Sequence, residues 1–300
     1  MGRRFFIPVI LMLRIALPNK GRLVEDVREL LADAGLPVRA ASDRALVASL
    51  GGEFEAIFVR AQDIPEFVAD GAADAGITGH DLVREAERPL HELLDLELGR
   101  CRLVVAARDD AGLLTVADVA TGARVATAFP RLADRFFRDR GCAVTIVPVT
   151  GAAEITPHLG VADLIVDLTS TGSTLRVNHL RELATVLESS ARLITADGGA
   201  AMRDDGKRQA LDGLATALSS VLRARGQRYL MANVPRAALD RVREIVPGLT
   251  GPTVIDILNG GAFVAVHAVV AQQAVYRTIA ELKSLGAEGI LVTRIERLMP

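Results

Sequence analysis

The stretch Asp167-Leu-Thr-Ser-Thr-Gly-Ser-Thr174 is the part of this sequence best equipped for chemistry. An acid is followed by five hydroxyl side chains within six residues, with one glycine among them. Small residues let a backbone approach an anion closely. Successive amide N–H groups, with the hydroxyls of Ser170, Thr171, Ser173 and Thr174, can cradle a phosphate. Asp167 stands just ahead of the cradle, where it can accept hydrogen bonds from the 2′ and 3′ hydroxyls of a ribose. The stretch therefore reads as a site for a phosphorylated ribose. The competing reading is a plain polar connection between a strand and a helix, with Thr174 as a cap. A Walker A loop is excluded, because no Gly-Lys-Ser/Thr follows.

Other polar positions fall at the ends of expected elements. Lys20 and Arg22 lie where a first strand gives way to a first helix, in Leu17-Pro-Asn-Lys-Gly-Arg-Leu23. Cations at a helix N-terminus oppose the helix dipole, and a bound nucleotide or pyrophosphate would relieve the conflict. Arg60 ends a second strand, at the edge where ligands gather in open α/β sheets. Asp63 reads as an N-cap. Thr78, His80 and Asp81 follow a third strand and are expected to face a cleft, with Asp81 alternatively a helix cap. His80, without an evident partner, reads first as a structural or surface histidine. Glu154 reads as a ribose contact or a solvated acid, and Arg176 and Asn178 as residues that orient the loop.

Short β-branched runs alternate with amphipathic stretches, which predicts a largely parallel sheet flanked by helices. Strands are expected at 14–17, 56–59, 75–78, 103–107, 124–128, 144–147, 164–166, 184–188 and 191–196. Helices are expected at 23–34, 64–70, 131–140, 152–159 and 207–224. The tail changes style. Its order is strand 228–234, helix 237–245, strands 253–257 and 263–270, helix 273–285 and strand 289–293, a βαββαβ module.

Composition narrows the class. The chain has 300 residues, half of them hydrophobic, and a formal net charge of -2, with a mean hydropathy of +0.30. That suggests two or three domains and offers no basic field for nucleic acid. Cys101 and Cys142 sit in no CxxC and at no metal spacing, so neither a disulfide framework nor a zinc site is expected. No apolar run reaches the ~18–20 residues that span a bilayer, and a cytoplasmic protein is expected. Residues 1–11 read as an extension ahead of Met12.

Taken in order along the chain, these pieces resemble one family. They are LPNKGRL at 17–23, FVRAQDIPEFV at 58–68, DAGITGHDLV at 74–83 and ADLIVDLTSTGSTLRVNHL at 162–180, with RYLMANVPRAAL at 228–239, VPGLTGPTV at 246–254 and LKSLGAEGILV at 282–292. The chain resembles the ATP phosphoribosyltransferases that open histidine biosynthesis, in the long form with its own regulatory domain. The resemblance implies an α/β fold: a bilobal catalytic part like type II periplasmic binding proteins, plus a C-terminal ferredoxin-like (ACT-like) βαββαβ domain. Lobe I would hold 12–104 and 190–222, lobe II 105–189, and the regulatory domain 223–300.

The same resemblance implies transfer of the phosphoribosyl group of phosphoribosyl pyrophosphate to N1 of ATP, with Mg2+. It implies feedback inhibition by histidine and a homo-oligomer, dimer or hexamer. Asp167, Thr169, Ser170, Thr171, Gly172, Ser173 and Thr174 match its phosphoribosyl loop, and Leu175 and Glu154 are expected beside them. Lys20, Arg60 and Asp81 match positions facing nucleotide or pyrophosphate, and Arg22 is grouped with them. Asn233, Thr253 and Ala287 fall where the regulatory module meets histidine. Two positions depart: some members carry an acid at Asn233, and Ser and Tyr are frequent where Ala128 and Phe129 stand. No side chain is assigned as a catalytic acid or base, and none as a metal ligand.

Overall fold

A computed structural model of the chain describes residues 12–42, 45–258 and 261–299. The expected extension, 1–11, lies outside the described residues. The chain divides into two compact units, with the division between Ala215 and Thr216.

The first unit opens with β1 (Leu13–Pro18) and α1 (Leu23–Asp33). In β1, Leu13, Ile15, Ala16 and Leu17 are all buried. A strand apolar on both faces suits the centre of a sheet covered on both sides. α1 buries Leu23, Val27, Leu30 and Leu31, one helical stripe. Gly35, at φ +82°, ends the turn beyond it. The chain continues through β2 (Arg39–Ala40), β3 (Val47–Gly51), β4 (Phe54–Val59), α2 (Ile64–Ala69), β5 (Ala75–Gly79), α3 (His80–Ala86) and β6 (Leu90–Asp95).

It then crosses to a second sheet with β7 (Cys101–Arg108), β8 (Arg124–Thr127), α4 (Pro130–Arg138), β9 (Thr145–Pro148), β10 (Leu164–Thr169), α5 (Ser173–Val177) and β11 (Leu180–Ser189). It returns through β12 (Ala191–Ala196), α6 (Ala200–Arg203) and the first half of α7 (Asp205–Ala224), the helix within which the two units divide. The sheet orders are β2-β3-β4-β1-β5-β12-β6 and β11-β7-β10-β8-β9. The unit thus has the expected bilobal, periplasmic-binding-protein-like plan. The two crossings lie side by side: Leu96 N–H donates to Ala191 O and Ala191 N–H to Leu98 O, each at 2.9 Å.

β10 carries the phosphate-loop stretch and lies at the centre of the second sheet. Leu164 and Val166 pack on one face with Leu103, Val105 and Val125. Ile165 packs on the other with Val104, Ala106 and Ala126. This alternation anchors the strand on both sides, so the loop after it starts from a fixed point.

The second unit is β13 (Gln227–Pro235), α8 (Leu239–Ile245), β14 (Thr253–Asp256), β15 (Phe263–Ala271), α9 (Val275–Ser284) and β16 (Glu288–Arg294), in sheet order β14-β15-β13-β16. This is the expected βαββαβ module. Leu230, Ala232 and Val234 alternate into its core and meet Val264, Val266 and Ala268, with Val242 and Leu282 from the two helices.

Some expectations need correction. The helix expected at 152–159 is only a 3-10 turn, Ala153–Ile155. Pro157 has no N–H to continue a helix, and Ala152 sits at φ +52°, outside helical geometry. β10 runs three residues past the expected end, to Thr169, because antiparallel pairing with β7 holds Asp167 opposite Val104 and Thr169 opposite Arg102. The edge strands β2 and β6, and β3 beside β2, were not foreseen.

Candidate functional site

The stretch Asp167–Thr174 forms the end of β10, a tight loop and the start of α5. Its hydroxyls divide into those that brace the loop and those left to meet a ligand. Thr169 is buried, and its Oγ1 accepts the Gly172 N–H at 2.9 Å. Thr171 Oγ1 donates to Ser173 Oγ at 3.0 Å. Arg176 Nη1 donates to Thr171 O at 3.1 Å, and Asn178 Nδ2 to Thr174 O at 2.9 Å. Arg176 and Asn178 orient the loop, as expected. Ser170 and Thr174 stay exposed. The amides of Ser173, Thr174 and Leu175 begin α5 and by helix geometry have no carbonyl partner within it. The Leu175 side chain is buried with Ile165 and Leu180, so only its backbone can face a ligand.

Gly172 is held at φ +71°, and a Cβ there would lie 3.3 Å from Arg176 Nη1. Gly172→Ala is expected to cost about 1 kcal/mol from the left-handed conformation, roughly 2–4 °C in Tm. It should also disturb the Arg176 brace. Thermal denaturation, together with the Michaelis constant for the anionic ligand, checks this.

Asp167 is half-buried, and its Oδ1 accepts its neighbour's amide, Leu168 N–H, at 2.8 Å. Burial pushes its carboxyl above the usual range. The negative charge of Glu154 adds to the rise, while the Leu168 amide opposes it. The 3-10 turn that carries Glu154 packs against β10, so Glu154 and Asp167 share one patch. Two acids sharing a partly dry patch are suited to gather hydroxyl donors or an electron-poor centre.

The cations come from the other lobe. Asn19 N–H donates to Val59 O at 2.8 Å, so the loop carrying Lys20 lies against the strand end carrying Arg60. Both side chains are exposed, and neither has an acidic partner among the described residues. Arg22 reaches across the lobes: its Nη1 donates to Ser170 Oγ at 3.4 Å, and its Nη2 lies 2.7 Å from Cys101 Sγ. The structure thus ties the first-lobe cations to the phosphate loop, a link that sequence spacing could not reveal.

Asp81, Thr78 and His80 are each held by contacts within the protein. Asp81 is buried and does not present its carboxylate to open solvent. Its Oδ1 accepts from Ser189 Oγ at 2.5 Å, and the Asp81 amide donates to Ser189 Oγ at 3.1 Å. It is not the helix cap either, because α3 starts at His80 with Gly79 as N-cap. Thr78 is buried and donates to Ala61 O at 2.7 Å. His80 has a partner after all, Glu92, at 2.8 Å. Asp63 holds the N-cap position of α2 without a side-chain cap bond. Phe129 packs into the second lobe's core.

A cavity of about 680 Å³ opens at the opposite end of the second sheet, beside Arg108, Asp118 and Leu164. Its charges are already satisfied: Arg108 pairs with Asp110 and Arg124 with Asp163. Size alone does not make it the site.

The regulatory expectation rests on three residues of the second unit. Asn233 on β13 pairs with Glu288 of β16, next to Ala287, and its Nδ2 lies against Gly289. Ala287 is buried, and its amide donates to Leu282 O. Thr253 lies on β14, with β15 between it and β13, ~10 Å away at ordinary strand spacing. The fold brings Asn233 to Ala287 and leaves Thr253 apart.

The sequence matches the ATP phosphoribosyltransferase family model over residues 60–220 and the HisG C-terminal domain over 224–297. The chain belongs to the ATP phosphoribosyltransferase family. It is 68% identical over 292 residues to the ATP phosphoribosyltransferase of Gemmatimonas aurantiaca, covering 96% of this chain and 100% of that one. It is 52% identical over 289 residues to that of Natronomonas pharaonis, with coverage of 96% and 100%. Among solved structures it resembles the ATP phosphoribosyl transferase (HisG:HisZ) complex from Thermotoga maritima. There the TM-score is 0.62 at 29% identity, over 71% of this chain and 99% of that one. Both domains of the long form are present, and membership makes the chain a transferase of histidine biosynthesis. Among the described residues no helix is long and apolar enough to cross a membrane.

Proposed function

We propose that the chain transfers the phosphoribosyl group of phosphoribosyl pyrophosphate to N1 of ATP, giving N1-(5-phosphoribosyl)-ATP and pyrophosphate. The observation that carries this reading is the Arg22–Ser170 contact, which joins the cationic first-lobe loop to the phosphate loop. The loop amides with Ser170, Ser173 and Thr174 receive the 5′-phosphate. Asp167 accepts hydrogen bonds from the ribose hydroxyls, with Glu154 beside it. Lys20, Arg22 and Arg60 face the pyrophosphate.

In the reaction, the N1 lone pair forms a bond to the anomeric carbon while the bond from that carbon to pyrophosphate oxygen breaks. The electron pair of the broken bond leaves with pyrophosphate. N1 carries no proton, so no protein base is required, and positioning supplies much of the rate. Positive charge grows on the ribose near Asp167 and Glu154, and negative charge on the leaving group near Lys20 and Arg60. Fixed charges of the right sign at both ends stabilise that separation. Asp81 has no part in this reading; its contacts are internal.

Magnesium enters as part of the substrate. Among the described residues no three acidic, histidine or cysteine side chains are grouped to hold a cation, and magnesium commonly takes phosphate and water ligands with one or two carboxylates. Its chemistry there is to neutralise pyrophosphate charge.

Histidine inhibition belongs to the C-terminal module. Asn233 and Ala287 form one side of the site. Because Thr253 lies two strands away, a single histidine that touches all three takes Thr253 from a second copy, which fits a homo-oligomer, dimer or hexamer. A neutral amide at Asn233 weakens the grip on the α-ammonium relative to an acid. A cytoplasmic location follows from this metabolic role.

The test is to mix the protein with ATP, magnesium and phosphoribosyl pyrophosphate and follow the adduct's absorbance, with and without histidine. Product that accumulates and is suppressed by histidine is expected. No product at any protein concentration would overturn the reading in favour of a non-catalytic subunit of the same fold.

A further inference from the structure

α3 belongs to the lobe of the seven-stranded sheet and α4 to the lobe of the five-stranded sheet, yet each supplies the other's cap. The Glu85 carboxylate accepts the amides of Arg131 at 3.0 Å and Leu132 at 2.9 Å, in the first turn of α4. Arg131 answers in the other direction. Its Nη1 donates to Glu85 O at 3.1 Å and Ala86 O at 2.9 Å, the last carbonyls of α3. One turn on, Arg135 and Glu87 approach to 3.7 Å.

Neither helix provides these caps itself. α4 has no side-chain cap of its own, and α3 ends at Glu87 in a left-handed conformation. The first amides and last carbonyls of any helix lack internal partners. A carboxylate at one end and a guanidinium at the other both complement the helix dipole. Among the described residues the two lobes also meet at the crossings at 96–101 and 189–191, through Arg22 on Ser170 and Cys101, and through Leu82 of α3, which packs against the second lobe's core. The exchange of caps is therefore a separate tie, and it breaks if the lobes part.

We infer that Glu85 is a positioning residue which, with Arg131, holds the two lobes together and so keeps the first-lobe cations facing the phosphate loop. Loss of the tie lowers the population of the closed form. Apparent affinity falls by that fraction, while turnover at saturation does not change. The catalytic part of this inference rests on the proposed function; the tie itself does not.

Hydrogen exchange on the full chain without substrate tests the tie directly. In Glu85→Ala, the amides of residues 131–132 are expected to exchange at least about tenfold faster. The acceleration should spread to 19–23 and 169–175, and added substrates should suppress it. Glu85→Gln, which keeps an acceptor oxygen, should fall between Glu85→Ala and the unsubstituted chain. Michaelis constants for both substrates should rise about tenfold with kcat within twofold, and Arg131→Ala combined with Glu85→Ala should add little. Faster exchange confined to 129–133, or equal losses in kcat and affinity, would overturn the inference. A chain that proves inactive leaves the exchange arm as the deciding measurement, so failure of the tie and failure of the proposed function are told apart.

Discussion

Asp167→Asn is expected to lower kcat/KM for phosphoribosyl pyrophosphate about 100-fold while raising Tm at pH 7. The two effects have one cause. The carboxylate is half-buried, receives one amide hydrogen bond within the protein and lies near the negative Glu154. Burial and that neighbour push its carboxyl above the usual range. An acid raised on folding favours the folded chain while protonated. That advantage declines as pH rises from the ordinary carboxyl value through the folded one, and at pH 7 it is lost. Asparagine removes the charge, keeps an acceptor for Leu168 N–H and is therefore stabilising at neutral pH. The gain in Tm should shrink as the pH is lowered toward the ordinary aspartate range.

Catalysis responds in the opposite sense. Two ribose hydroxyls that donated to a carboxylate would lose a charged acceptor, and such hydrogen bonds contribute about 1.5–3 kcal/mol each. Even about 2.7 kcal/mol corresponds to a factor of about 100. The Michaelis constant for ATP should move far less. Melting curves at pH 4 and pH 7, with initial rates at varied donor, decide the matter. A variant less stable at pH 7, or one with normal donor kinetics, would remove Asp167 from its assigned place. A residue that destabilises the free protein yet is needed for activity fits the trade-off between stability and function.

The contrast between what sequence pattern revealed and what it concealed follows from how local each feature is. The stripe of Leu23, Val27, Leu30 and Leu31 and the alternation of Leu230, Ala232 and Val234 are periodic over short spans, so α1 and β13 were legible. β6, Leu90-His-Glu-Leu-Leu-Asp, is a polar edge strand whose pairing partner, β12, is about a hundred residues away. Nothing in its own pattern announces a strand. The phosphate loop was legible because its residue types are local and unusual. Its surroundings were not: Arg22 on Ser170 and Ser189 on Asp81 are pairings set by tertiary structure. Asp81 is the clearest case. Its position in DAGITGHDLV suggested a ligand contact, whereas Gly79 leaves room for its carboxylate to fold inward toward Ser189, where any Cβ would collide with Oδ1.

Lys20→Ala and Arg60→Ala are each expected to lower kcat/KM about 10- to 100-fold and to weaken product inhibition by pyrophosphate, without loss of stability. Both side chains are exposed cations on adjacent strand ends, linked through the Asn19–Val59 backbone hydrogen bond, and neither has an acidic partner among the described residues to lose. Removing one of two neighbouring like charges leaves Tm unchanged or slightly higher, since exposed charges contribute little to folding. A leaving pyrophosphate, in contrast, develops charge that these side chains meet through charge-assisted hydrogen bonds worth about 1.5–3 kcal/mol each. If both act on the same anion, the losses are coupled, and the double variant should fall short of the sum of the single effects. Raising salt should erode the remaining activity less in each variant than in the unsubstituted chain, because an exposed, screened charge has been removed. Pyrophosphate inhibition constants across the single and double variants read this out. Unchanged constants would mean that the pyrophosphate binds elsewhere, and the two strand ends would lose their assigned role.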